Sequence, residues 1–261
     1  MHVATAQGNC KASESARSFG YMVWFVRNTE LAHRYAIYFS SATASHLGAF
    51  GAEWLGRTVE GQDLSPPTFA HIDDESWRVA VASPRAYGFH ATLKPPFRLH
   101  DSYNENDFLS AVEAFSAKSN PVGLGSLSIS QVSTFLALTS EYSDGIGRLA
   151  SALVMDFDDF RAPLTTTDVA KYRMEDLSAT QQSLIDRWGS PFVMGDFRFH
   201  MTLTGSLAAG EIGRFQDELR ARFAPLIDFQ FQVDEICIFQ QRSEDEDLLL
   251  SHRFSLRADP V

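Results

Sequence analysis

One short phrase is written twice in this chain, and it restricts the fold more than any other feature. His90-Ala91-Thr92-Leu93 and His200-Met201-Thr202-Leu203 are both His-x-Thr-Leu, and they lie 110 positions apart (200 minus 90). At average usage of Thr and Leu, two such matches among eight histidines would arise by chance roughly once in a thousand chains. Both copies sit in segments that read as strands, Tyr87 to Lys94 and Phe197 to Thr204. Side chains alternate faces along a strand, so residues i, i+2 and i+4 share one side. Phe89, Ala91 and Leu93 then point to a core, while His90, Thr92 and Lys94 point away from it. In the second segment Phe197, Phe199, Met201 and Leu203 point inward, and Arg198, His200, Thr202 and Thr204 line the opposite face. Each strand offers an imidazole and a hydroxyl side by side.

The remaining text divides into short strands and amphipathic helices. Arg34 to Phe39 reads as a first strand, with Tyr38 on the Arg34-Ala36-Tyr38 face. A helix is expected from Ser45, with Leu47, Phe50, Trp54 and Leu55 at helical spacing. Asp73 caps a second, over 74–82, ended by Pro84. Further helices are expected at 105–118, 144–159, 178–188 (closed by Gly189) and 211–223. Strands are expected at 125–132, 134–139, 228–240 and 247–256, with the acidic run Glu244 to Asp247 as a solvated hairpin tip.

Residues 1–33 lack periodicity and read as an appended, partly disordered arm. Residues 34–257 read as one bilobal domain with lobes near 34–130 and 131–257, and 258–261 as a tail. No Pro/Gly/Ser linker divides the domain.

Composition narrows the function. A net charge of −11 argues against a long nucleic acid as partner, because such affinity comes mostly from Lys and Arg neutralising phosphates. It leaves room for a small phosphorylated substrate in a locally basic pocket. Cys10 and Cys237 form neither a metal motif nor a disulfide framework, and Cys237 reads as a buried thiol in a strand. No stretch approaches the roughly 20 apolar residues of a membrane span. A cytoplasmic protein is expected, with its oligomeric state left open.

A lone strand histidine is usually structural; two in matching registration are not ordinary. Imidazole titrates near working pH, so one ring can take a proton from water while the other gives one to a leaving oxygen. Thr92 and Thr202 can donate hydrogen bonds to phosphate oxygens. Arg198, Lys94 and Tyr38 are candidates for substrate binding. His71 with Asp73 and Asp74 matches no ligand spacing, so no metal and no cofactor is expected. No GxGxxG, P-loop or GxSxG motif is present.

The two His-x-Thr-Leu strands resemble the two-histidine (2H) phosphoesterase superfamily, which includes RNA 2′-5′ ligase-like and cyclic nucleotide phosphodiesterase proteins. More closely, Arg34 to Tyr38, Tyr87 to Phe97 and Phe197 to Gly205 are similar to a bacterial family encoded in phosphonate-degradation operons, over roughly residues 34–257. The resemblance implies an α+β bilobal fold, with two antiparallel sheets lining a central cleft and helices outside. It also implies metal-independent hydrolysis of a small cyclic phosphodiester, with His90 and His200 as catalytic residues and a ribose cyclic phosphate as a natural candidate. Two alternatives stand beside it: processing of 2′,3′-cyclic RNA ends or nucleotides, and a non-catalytic protein that binds a phosphorylated metabolite.

Overall fold

The computed structural model describes residues 33–141 and 144–257; the expected arm, apart from His33, and the expected tail lie outside the described residues. The chain order is β1 (Arg34–Phe39), α1 (His46–Leu55), α2 (Asp74–Tyr87), β2 (Ala91–Phe97), α3 (Glu105–Ser116), β3 (Val122–Gly125), β4 (Leu127–Val132) and β5 (Phe135–Ser140). There follow α4 (Asp144–Asp156), α5 (Thr166–Ala170), α6 (Ala179–Trp188), β6 (His200–Thr202), α7 (Ala209–Phe223), β7 (Phe231–Val233), β8 (Glu235–Gln241) and β9 (Leu249–Ser255). The class is α+β with antiparallel sheets, as expected. Seven strands form one sheet in the order β4-β5-β6-β2-β1-β8-β9, and β3 pairs with β7 in a second.

The strand carrying each histidine phrase thus lies next to the other, and both belong to one continuous sheet. The seam between them is short: Ala91 pairs with Met201 and no other residue pair is registered there. The expected lobe boundary near residue 130 falls inside β4. The sheet divides differently, because the C-terminal hairpin β8–β9 pairs with β1 on the side of the first phrase. Long-range pairing overrides chain order here.

Alternation sorts the two faces of the sheet. Ile37, Phe39, Leu93, Leu138, Met201 and Ile236 are buried in the main core, with α4 packed against β2 and α7 against β4. Each such side chain contributes about 1.5–3 kcal/mol when fully withdrawn from water. On the other face, Ala36, Tyr38, Cys237 and Phe239 make a smaller cluster with Val59 and Leu248. Burial pushes the Cys237 thiol up to about 12, so it is an inert core group.

Several boundaries differ from expectation for local reasons. Asp73 caps α2, accepting from Ser76 N at 2.8 Å, but the helix continues through Pro84 to Tyr87. A proline removes the bond to the carbonyl four residues back, here that of Ala80. That carbonyl instead accepts from Gly205 N at 2.6 Å, which ties α2 to the end of the second phrase. Strand β2 runs through Pro95 and Pro96 because its pairing with β1 skips register there, from Ile37↔Lys94 to Tyr35↔Phe97. The expected strand at 228–240 is two strands, β7 and β8, that serve different sheets. The acidic tip is not wholly solvated: Asp247 pairs at 2.6 Å with Arg57, which is 2% exposed.

Candidate active site

The two histidine phrases meet across the seam in antiparallel register. With Ala91 opposite Met201, counting outward sets His90 opposite Thr202 and Thr92 opposite His200. Opposed side chains on one face stand about 4.5–5.5 Å apart at Cβ. All four line one cleft of about 770 Å³, together with Tyr38 and Arg198. Its walls are largely apolar, with Tyr87, Phe135, Phe192 and Phe197 among the lining residues.

Each ring is fixed by the same local bond. His90 Nδ1 lies 2.9 Å from Gly88 O and His200 Nδ1 lies 2.8 Å from Arg198 O. A carbonyl can only accept, so Nδ1 carries the proton in both rings. In the neutral tautomer Nε2 is then the acceptor. His90 Nε2 sits 3.2 Å from Thr92 Oγ1. Gly88 makes the approach possible with φ of 74°, a left-handed conformation favoured by glycine. Its carbonyl is thereby turned back toward the ring.

The surroundings of the two rings differ. His90 is half-buried and stacks on Tyr38, with centroids 3.8 Å apart and planes at 18°; Phe239 lies 6.1 Å away. Burial pushes its pKa down to about 4, against the opposing bond to Gly88 O, and the nearby His200 lowers it further. At neutral pH the His90 imidazole is therefore uncharged. His200 is also half-buried, but its aromatic neighbour is Phe135 at 5.8 Å, with no ring stacked on it among the described residues. Burial also pushes the Tyr38 phenol well above its usual range, keeping it neutral under the His90 ring.

Of the residues picked from sequence, Tyr38, His90, Thr92, Arg198, His200 and Thr202 come together in the cleft. Lys94 does not. It is 2% exposed and lies on the core face beside Ile37, because the bulge between Thr92 and Lys94 reverses the alternation. Its Nζ donates to Val154 O at 3.2 Å in the last turn of α4 and sits 5.1 Å over the Phe97 ring. Burial pushes its pKa down to about 8. Thr204, at the same offset in the second phrase, is likewise turned inward. It is fully buried, its Oγ1 accepts from Leu136 N at 3.0 Å, and both Leu203 N and Thr204 N donate to Leu136 O. Two amides on one carbonyl mark a β-bulge. Each strand thus bends just after its threonine.

Arg198 is exposed at the rim, donating from Nη1 to Gly195 O at 2.9 Å and Phe197 O at 2.6 Å. Phe197, expected inward, is half-buried and lines the cleft. Sequence reading missed the loop from Ser190 to Asp196 and the β4–β5 turn at Ser133, which also line the cleft. Their signal is conformational: Ser133 and Met194 are the non-glycine residues with positive φ among the described residues, at 53° and 54°. Such geometry gathers at functional sites. Among the described residues no group of three or more His, Cys, Asp or Glu is placed to hold a metal ion, and no helix is long and apolar enough to cross a membrane.

The fold and site define an α+β protein with a paired-histidine cleft. The chain belongs to the family described as "Protein of unknown function (DUF1045)", which matches residues 92–249. It is 40% identical over 185 residues to a Janthinobacterium sp. (strain Marseille) protein named ribose 1,5-bisphosphate phosphokinase PhnN, covering 69% of this chain and 40% of that protein. A protein of the same name from Laribacter hongkongensis (strain HLHK9) is 31% identical over 192 residues, covering 73% of this chain and 44% of that one. The chain thus spans less than half the length of the curated relatives it matches. Among solved structures, TT0787 of Thermus thermophilus overlaps 87% of this chain and all of its own at 13% identity and a TM-score of 0.41. Usb1 of Kluyveromyces marxianus overlaps 87% and 98% at 11% identity and a TM-score of 0.35. Both are weak likenesses.

Proposed function

We propose that this chain is a phosphoesterase of the two-histidine class, which hydrolyses a small cyclic phosphodiester by acid–base catalysis. The observation that carries this reading is the pairing of the two phrases: each imidazole presents Nε2 to one cleft, with a threonine hydroxyl across the seam from it. In this reading the phosphodiester lies between the rings, its non-bridging oxygens accepting from Thr92 and Thr202. Neutral His90 takes a proton from water at Nε2 as the water oxygen bonds to phosphorus. His200, entering the step protonated on both nitrogens, gives its Nε2 proton to the ester oxygen as the bond from that oxygen to phosphorus breaks. The lowered pKa of His90 supports assigning it as the base. Arg198 at the rim offers positive charge to the anion.

The relatives' name supports a sugar phosphate as the organic part, since it refers to ribose 1,5-bisphosphate. It also refers to a kinase, an activity for which this chain carries no P-loop. The relatives extend well beyond the matched segment, so the kinase name does not conflict with a phosphoesterase role here.

The test is direct. Purified protein is incubated in EDTA with ribose 1,2-cyclic phosphate and 2′,3′-cyclic nucleotides, and products are followed by phosphorus NMR. Conversion of a cyclic diester resonance to that of a monoester is expected. Binding of these compounds without turnover would replace the enzyme reading with that of a phosphometabolite-binding protein.

A further inference from the structure

Beside the histidine cleft lies a smaller pocket of about 140 Å³, which shares Pro96 and Tyr172 with it. Its lining holds four cations from four separate stretches of chain: Arg34 in β1, Arg98 just past β2, Arg161 after α4, and Lys171 at the end of α5. In a chain of net charge −11, four cations around one small pocket stand out. We propose that this pocket is a second anion subsite, which takes a phosphoryl group borne by the same substrate whose diester lies between His90 and His200. The proposal rests on the phosphoesterase reading and deepens it by naming the substrate class.

Charge accounting supports it. The one carboxylate in the lining, Asp168, is already engaged: it accepts from Thr165 N at 2.9 Å, Thr165 Oγ1 at 2.7 Å and Arg98 Nη2 at 2.9 Å, with Lys171 Nζ 3.8 Å away. Arg161 is paired with Asp158 at 2.9 Å, and Lys171 is 3.9 Å from Glu244. Arg34 is different. Its Nε donates at 2.7 Å to the carboxamide of Gln241, a neutral partner. It makes no ion pair among the described residues. Even after every neighbouring carboxylate is counted, the pocket keeps this cation in excess.

Reach supports it as well. Arg34, Ala36 and Tyr38 share one face of β1, and Tyr38 is the ring on which His90 stacks. Four strand residues span about 13 Å, and the long arginine side chain shortens the gap. Two anion sites on the order of 10 Å apart fit a sugar that carries a cyclic phosphate at one end and a phosphate monoester at the other.

The decisive comparison uses a nucleoside 2′,3′-cyclic phosphate with and without a 5′-phosphate, and the full chain as wild type and as the Arg34→Gln/Lys171→Gln variant. Lys171 is about half exposed and Arg34 half-buried, and thermal melts check that the variant folds. Wild type should favour the 5′-phosphorylated compound by about 10- to 100-fold in kcat/KM. The variant should lose that preference while its rate on the simpler compound is unchanged. Equal wild-type values for the two compounds, or a preference that survives in the variant, overturns the subsite. If neither compound is hydrolysed, the phosphoesterase reading is at fault, and calorimetry with ribose 5-phosphate decides the pocket. Binding that the variant loses sustains the subsite; no binding, or binding the variant keeps, ends it.

Discussion

His90 and His200 have the same local wiring in different surroundings. Each gives its Nδ1 proton to the carbonyl two residues back, and each stands across the seam from a threonine. Yet His90, just ahead of the middle strand of the seven, lies on Tyr38 near Phe239, while His200, at the start of β6, lies near Phe135. The backbone carbonyl two residues ahead of each phrase sets which nitrogen carries the proton. At His90 the neighbours supplied by distant strands, Tyr38 and Phe239, bury the ring and lower its affinity for a second proton. Duplicated sequence therefore yields two rings of like local geometry in unlike surroundings.

The largest expected effect tests whether both rings act. His90→Ala and His200→Ala should each lower kcat/KM on a cyclic diester by about 10²–10⁴-fold, or roughly 3–5 kcal/mol of transition-state stabilisation. The double variant should fall little further, because groups that act as a unit are not additive. A variant of either histidine that keeps wild-type turnover in steady-state assays would break the comparison outright.

Next comes the pair of threonines. Thr92→Val and Thr202→Val should each cost about 10²-fold in kcat with KM less changed. A marked inequality between them would show that the phosphate leans toward one strand.

The surroundings of His90 are tested by pH. With His90 as base, kcat/KM should fall on the acid side through a limb near pH 4. Tyr38→Ala opens the ring to water and should move that limb upward by about one unit. Stability carries the same signature. Between about pH 4 and 6.5 the unfolded chain binds a proton at His90 that the folded chain does not. Stability therefore rises with pH through that window and is lost as pH falls through it. Urea titrations of wild type and His90→Gln at pH 7 and 4.5 should show the smaller acid loss in the variant.

The smallest effect concerns Lys94. Because it bonds Val154 O inside the core, Lys94→Met should alter kcat/KM by less than about threefold. It should also flatten the rise in stability that wild type shows between about pH 8 and 10.5, where only the unfolded chain binds the proton. A large loss of rate with intact fold would place the lysine in the chemistry after all.

Much of this was legible in the sequence. The strand period put His90, Thr92, His200 and Thr202 on one face, and the helices over 105–118, 144–159 and 178–188 lie within a few residues of their expected spans. Strict alternation failed at the fourth residue after each histidine. A bulge inserts one unpaired residue and depends on the partner strand, so neither Lys94 nor Thr204 could reveal its direction. Pro84 misled because the group that satisfies the freed Ala80 carbonyl, Gly205 N, lies 125 positions away (205 minus 80). The loop from Ser190 to Asp196 gave no periodic signal at all. Its placement comes only from the assembled sheet.

The pairing of β1 with β8 has a consequence for biosynthesis. Arg34 faces Gln241 across a span of 207 positions, so the strand beneath His90 cannot be flanked on both sides until nearly all of the described chain has left the ribosome. Closing so long a loop is entropically costly and slow. A nascent chain interrupted before β8 would hold both histidine phrases but lack Phe239 and the pairing that secures Tyr38, leaving the ring of His90 open to water and to protonation. Competence would then arrive late and in one step, as a property of the finished molecule.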